Sequence, residues 1–246
     1  MQLADMTWLE AERLLTPEAV VMIPLGAAAK EHGPHLRLDN DYRLANALSE
    51  RVMEQTPVIV APTVPYHHYP AFTTYPGSTN LRFDTARDLI VDIVTSLAAF
   101  GPRRFYVLNT GVSTMSPLQA AADLLHEAQI TLRYTDILAV AAGVERRVTQ
   151  QLRGSHADET ETSMMLYLTP KRVDMRQAVK DDEPRLGEGG FSRLPGRKGI
   201  YSASGVWGDA TLAEAGKGKR LVDAIVDGVI QDIEDLRHHP TQSRSR

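Results

Sequence analysis

The 246-residue chain contains no cysteine. Disulfides, thiolate zinc sites and cysteine nucleophiles are therefore excluded, and any metal must be held by His, Asp and Glu. Long apolar runs are also missing. None approaches the roughly 18 residues that a membrane helix needs. The first ten residues, MQLADMTWLE, carry neither a basic nor an apolar leader region, so a soluble, cytoplasmic protein is expected. There is no basic block either: 27 Lys and Arg face 31 Asp and Glu, a formal net charge of −4. That balance argues against nucleic acid as a partner. Walker A, G-x-G-x-x-G and G-x-S-x-G patterns are absent, which leaves nucleotide cofactors and an elbow serine unsupported. No internal repeat is visible.

What is present suits one α/β domain. Hydrophobic residues make up 43% of the chain, enough for a sizeable core at this length. The expected organisation is one domain over residues 1–237 and a disordered tail over 238–246. Apolar, β-branched runs at 19–25 (AVVMIPL), 58–64 (VIVAPTV) and 104–109 (RFYVLN) read as strands buried in a parallel sheet. Residues 130–140 read as a further strand. Helices are expected over 41–55, 85–100, 117–128 and 212–236, with Asp84 as an N-cap and Gly101-Pro102 as a stop. Residues 181–206 carry six Gly and two Pro and read as a long loop, of the sort that often covers a site.

With eight histidines and no cysteine, the histidines are the informative residues. Directly after the first strand come Lys30-Glu31-His32-Gly33-Pro34-His35 and then Asp39-Asn40-Asp41. Such a loop, entering a helix at Asp41, can aim imidazole and carboxylate groups at one point, a donor set suited to Zn, Mn or Fe(II). The structural alternative is that His32 and His35 pack while Asp39 caps the helix. A second cluster, His156-Ala157-Asp158-Glu159-Thr160-Glu161, needs a loop or a strained helix start for His156 and Glu161 to converge. Asp158 and Glu159 can equally favour a helix N-terminus. Of His67 and His68, at most one faces a site, because neighbours in an extended chain point oppositely. His126, His238 and His239 read as structural or solvated. The turn 109–114 (NTGVST) after the third strand offers Asn109, Thr110 and Ser113, and backbone N–H groups, to a substrate or oxyanion.

Four segments, in order, resemble the creatininase family of metal-dependent amidohydrolases. IPLGAAAKEHGPHLRLDND is similar to its strand and E-x-H-G-x-H-L…D loop, and PYHHYPAFTTYPGST to its segment ending in F-P-G-T. HADETETSMMLYL resembles H-A-x-x-x-E-T-S, and SASGVWGDATLAEAGKGKR resembles S-G-V-x-G-D-P…A-x-x-x-K-G. The resemblance implies a three-layer α/β/α sandwich with a mostly parallel sheet, often assembled into hexamers, and a two-metal centre bridged by Asp41. His32 matches a histidine ligand, His156 the catalytic histidine and Glu161 the acidic residue of the same motif. Two positions depart from the pattern. Lys30 stands two before His32, where the family has a glutamate ligand, and one extra residue between Gly26 and His32 lets a bulge bring Glu31 into that place. In NTGVST, Gly111 stands where the family has a histidine and Ser113 where it has a glutamate, with His68, Asp158 and Glu159 as candidate replacements.

The implied function is hydrolysis of a C–N bond in a small amide, cyclic amide or formamide. One or two Zn or Mn ions, or Fe, would be held by Glu31, His32 and Asp41, with His156 and Glu161 moving protons. His68, Asn109, Thr110 and Ser113 would meet the substrate. The competing reading is a metal-free binding or structural subunit, favoured by Lys30 and Gly111.

Overall fold

A computed structural model describes residues 1–182, 191–196 and 200–238. Four parallel strands form the central sheet: β1 (Val20–Leu25), β2 (Ile59–Val60), β3 (Arg104–Asn109) and β4 (Thr131–Tyr134), in the order β2-β1-β3-β4. β1 and β3 pair over their full length, from Val20 against Arg104 to Leu25 against Asn109. The two-residue period of the strands divides their side chains between two cores. Val20 and Met22 of β1, with Tyr106 and Leu108 of β3, face one; Val21, Ile23, Leu25, Phe105 and Val107 face the other.

Helices cover both faces, which gives the α/β/α sandwich. On the first face lie α2 (Asn40–Gln55), α5 (Ala142–Val148), α6 (Glu159–Leu168) and α7 (Ala215–His238). On the second lie α1 (Trp8–Leu14), α3 (Phe83–Ala98) and α4 (Met115–Glu127). The helical period does the sorting. Ala86, Ile90, Val94 and Ala98 of α3 recur every four residues and are buried, as are Leu221, Ile225, Val229 and Ile233 of α7. Burying such Leu, Ile or Val side chains contributes about 1.5–3 kcal/mol each. α6 and α7 cross closely at Gly218, where a Cβ would lie 1.8 Å from the Ser163 carbonyl oxygen.

Several expectations need correction. The strand expected over 58–64 pairs as β2 only at Ile59–Val60, with an isolated bridge from Val64 to Leu25. The Ala61 N–H donates to the Met22 carbonyl, but the next donor to β1 is the Val64 N–H, to the Pro24 carbonyl, so the ladder is broken by an extra residue over 62–63. The strand expected over 130–140 stops at Tyr134, because the Asp136 carboxylate accepts from the N–H groups of Leu138 and Ala139 and turns the chain. Asp84 is not an N-cap: Arg82 holds that position, and Asp84 lies in the first turn, 3.0 Å from Arg87. α7 begins at Ala215, after a 3-10 turn over Ala210–Leu212. His238 closes α7, and the rest of the expected tail lies outside the described residues, as do 183–190 and 197–199 of the expected loop. Among the described residues, no helix is long and apolar enough to cross a membrane.

Candidate active site

The chemistry gathers beyond the carboxyl ends of β1 and β3, where open α/β sheets place their ligands. Gly26 ends β1 against the first turn of α2. Any side chain there would collide with the Asp41 carbonyl, 2.2 Å from a Cβ, and the Ala27 carbonyl accepts from the Tyr42 N–H. This contact brings the 30–32 segment beside the Asp41 carboxylate. His32 Nε2 lies 2.7 Å from Asp41 Oδ1, and Lys30 Nζ lies 2.6 Å from Asp41 Oδ2. All three side chains are buried. Burial alone would raise the Asp41 carboxyl, but His32 and Lys30 hold it well below the usual carboxylate range. Lys30 in turn is held above its ordinary value despite burial, chiefly by Asp41 and Glu161.

The second cluster approaches from α6 and the segment before it. His156 and Trp207 form an isolated antiparallel bridge, and Ala157 takes φ +49°, an uncommon conformation for a side-chain-bearing residue. That sharp start solves the convergence problem of the sequence. Ala157 N–H donates to Glu161 Oε2 at 2.6 Å, and His156 Nδ1 lies 3.8 Å from the same oxygen. His156 Nε2 faces the Glu31 carbonyl at 3.0 Å and the Glu31 carboxylate at 3.1 Å. Both are acceptors, so Nε2 carries a proton, and Nδ1 is the nitrogen turned towards Glu161. Glu161 is pushed up to about 7 by burial, although His156 and Lys30 pull it down.

His32, His156 and Glu161 each offer one ligand atom, and the three atoms lie within 4.8 Å of one another. Two imidazole nitrogens and a carboxylate oxygen are donors suited to a single Zn, Mn or Fe(II) ion; His32, whose Nδ1 faces the Lys30 carbonyl at 2.9 Å and whose Nε2 faces Asp41, would give up one of these partners to hold it. Glu31, expected as a ligand, instead accepts from the Gly33 N–H and from His156. Gly205 lies directly behind its carboxylate, where a Cβ would stand 1.9 Å from Oε1. Asp41 abuts His32 without joining the three.

The other expected residues fall as follows. Asp158 caps α6, accepting from the N–H groups of Thr160 and Glu161. Glu159 is buried against Lys217 at 2.6 Å and accepts from the N–H groups of Gln150 and Gln151. Asn109 is fully engaged by its own turn and the end of β4, donating to the Gly111 and Thr135 carbonyls and accepting from Gly111 N–H and the Thr114 hydroxyl. Thr110 donates to the Leu25 carbonyl and Ser113 to the His68 carbonyl. His68 lies at hydrogen-bond distance from the Leu81 carbonyl and packs edge-on to Phe83. His35 reaches Thr162 at 2.7 Å and is pushed down to about 4 by burial and the neighbouring His32.

A cavity of about 410 Å³ opens onto this cluster. Lys30, Thr110, Gly111, Ser113, His156 and Glu161 give it a polar end; Phe72, Leu138, Met164, Phe191 and Ile225 are among its apolar walls. Asn109 and His68 are not part of its lining. A larger hollow, about 770 Å³, lies around Val20 and Pro57, at the opposite end of β1 from the cluster. Sequence reasoning missed Phe72 and Phe191, whose rings lie 4.4 and 5.3 Å from that of His156. Phe191 comes from the long loop and Phe72 from the PYHHYPAFTTYPGST segment, but neither reads as a site residue from sequence alone.

A three-layer α/β/α protein thus carries, at the carboxyl ends of its strands, a histidine–carboxylate cluster that fits a metal ion. The chain belongs to the creatininase family, whose model, described as creatinine amidohydrolase, matches residues 4–233. It is 27% identical to creatinine amidohydrolase of Pseudomonas putida over 94% of this chain and 95% of that one. It is 28% identical to the mycofactocin precursor peptide peptidase of Mycolicibacterium smegmatis, over 87% and 84% of the two chains. Similarity extends to 3-dehydro-scyllo-inosose hydrolase of Thermotoga maritima, 27% identical over 88% and 77%. Among solved structures, a manganese creatininase superposes with a TM-score of 0.82 at 24% identity, covering 97% of this chain and 99% of that one. A zinc–zinc form of a creatininase mutant gives 0.80 at 24% identity, covering 97% and 98%. At that identity the superpositions show the shared fold.

Proposed function

We propose that this chain is a metal-dependent hydrolase that opens a C–N bond in a small amide, cyclic amide or formamide. The observation that carries the reading is the convergence of His32, His156 and Glu161, the last two of which line the cavity. These three would hold one divalent ion, Zn or Mn, with Fe(II) compatible with the same donors. Such an ion, when bound, acidifies a coordinated water and polarises a carbonyl. Asp41 holds His32 in place, and Glu31 holds the Nε2 proton of His156, leaving Nδ1 for the ion. Glu161 would offer the ion one carboxylate oxygen, and its second oxygen is the acceptor placed to take a proton from water and return it to the leaving nitrogen. Water's oxygen bonds to the carbonyl carbon, the C–N bond breaks, and the nitrogen leaves protonated. Thr110, Ser113 and the N–H groups of their turn face the polar part of the substrate, and Phe72, Phe191 and Ile225 cover its apolar part and exclude water.

The similarity to relatives named for amide, peptide and inosose hydrolysis supports hydrolysis in general. The test is turnover of a panel of cyclic amides, formamides and lactones by protein reconstituted with Mn or Zn, beside Glu161→Gln. Turnover that needs the metal and falls at least about 100-fold in the variant supports the reading. A metal-free binding subunit is the second reading, favoured by Lys30 on Asp41 and by the bare Gly111. It predicts ligand capture in the cavity without turnover. Assembly into a homo-oligomer, hexameric by family resemblance, and a cytoplasmic location belong to the same proposal; light scattering reads the former.

A further inference from the structure

We propose that the Lys30 ammonium is the permanent cation of Asp41, so that this chain binds no metal ion at Asp41 and its centre holds at most one. The inference goes beyond the hydrolase reading and does not depend on it. Two departures from the family pattern, Lys30 and the Gly111–Ser113 pair, lie far apart in sequence and line the same cavity. The position two before His32, a glutamate in the family motif, carries an ammonium 2.6 Å from Asp41 Oδ2. Asp41 Oδ1 is met by His32 at 2.7 Å. Around Nζ lie the faces of Tyr69, 5.6 Å to its ring centre, and Phe72, at 5.0 Å. Aromatic faces attract an ammonium through the ring quadrupole and offer a divalent ion no lone pair, which leaves the buried Tyr69 hydroxyl as the one oxygen these two side chains carry.

The opposite wall is equally bare of ligands. Gly111 has no side chain, and a Cβ there would already press on Thr114 Oγ1 at 3.1 Å. The Ser113 hydroxyl donates to the His68 carbonyl. Of the carboxylates that act on this ammonium, Asp41, Glu161 and Glu31, Asp41 is the one in contact, so a divalent ion added at Asp41 would meet a buried cation. Lys30 also lines the cavity, so its charge faces whatever binds there.

The experiment is a Mn²⁺ titration of the purified full chain, read by equilibrium binding and electron paramagnetic resonance, for wild type and Lys30→Glu. Wild type is expected to take no more than one Mn²⁺, without the exchange-coupled spectrum of a pair, and Lys30→Glu to take one more than wild type. Two ions in wild type, or no gain in Lys30→Glu, overturns the inference. A wild type with no ion and a variant with one supports it, while removing the hydrolase reading above. If circular dichroism shows Lys30→Glu unfolded, Lys30→Gln crystals soaked in Mn²⁺ replace it. An anomalous peak at Asp41 that wild type lacks supports the inference; no peak in the variant, or a peak in wild type, overturns it.

Discussion

Each histidine of the cluster is backed by a carboxylate, His32 by Asp41 and His156 by Glu31. Partners of this kind set ring orientation and tautomer, and their loss typically weakens metal binding about 10- to 100-fold. Glu31→Gln is therefore expected to lower Mn²⁺ affinity by that factor in a chelator competition, whereas His32→Ala abolishes it. Abolition in both variants would make Glu31 a ligand. Much of this centre is legible in sequence: His32, Asp41, His156 and Glu161 all sit in recognisable motifs. The pairing of Lys30 with Asp41 is harder to read, because it depends on how Gly26 docks β1 onto α2. Phe72 and Phe191 are harder still. Their contact spans well over 100 residues and leaves no local pattern.

At the scale of elements, α7 offers a comparison within one helix. A glycine in an open helix costs about 1 kcal/mol relative to alanine. A Cβ at Gly216 would meet nothing within 4 Å, whereas one at Gly218 would collide with the Ser163 backbone of α6. Gly216→Ala is thus expected to stabilise by up to about 1 kcal/mol, and Gly218→Ala to destabilise by about 1–3 kcal/mol through overpacking, both read by urea unfolding. Nearby, Lys217 reaches from α7 to Glu159 at the start of α6, with both side chains buried. Lys217→Met leaves that buried carboxylate without its cation, with only the Gln150 and Gln151 N–H groups to hold it, and should cost about 3 kcal/mol. Helix α1 shows how an element can be readable yet overlooked. Its Thr7–Glu10 capping box satisfies both reciprocal bonds and is visible as T-x-x-E in sequence. The shortened β4 has a readable cause too, in Asp136. The start of α6 does not, since Ala157 is held in its unusual conformation by the Trp207 bridge and by Glu161.

For the whole molecule, pH acts through histidines that the fold keeps neutral. His67 is fully buried at hydrogen-bond distance from the Ala86 carbonyl, and burial pushes it down to about 4 from an ordinary 6.5. As pH falls, the unfolded chain takes up this proton first. The stabilisation is therefore complete above pH 6.5 and lost progressively as the pH falls to about 4, by about 3 kcal/mol. His67→Asn should flatten the pH dependence of unfolding over that window; an unchanged slope would place the titrating groups elsewhere. Everything proposed for catalysis depends on a one-metal hydrolytic centre built on His32, His156 and Glu161. Elemental analysis of the purified, untagged protein after Zn or Mn reconstitution and desalting, beside His32→Ala, decides it. One ion per chain in the wild type, lost in the variant, is predicted; a wild type that retains no ion rules the centre out.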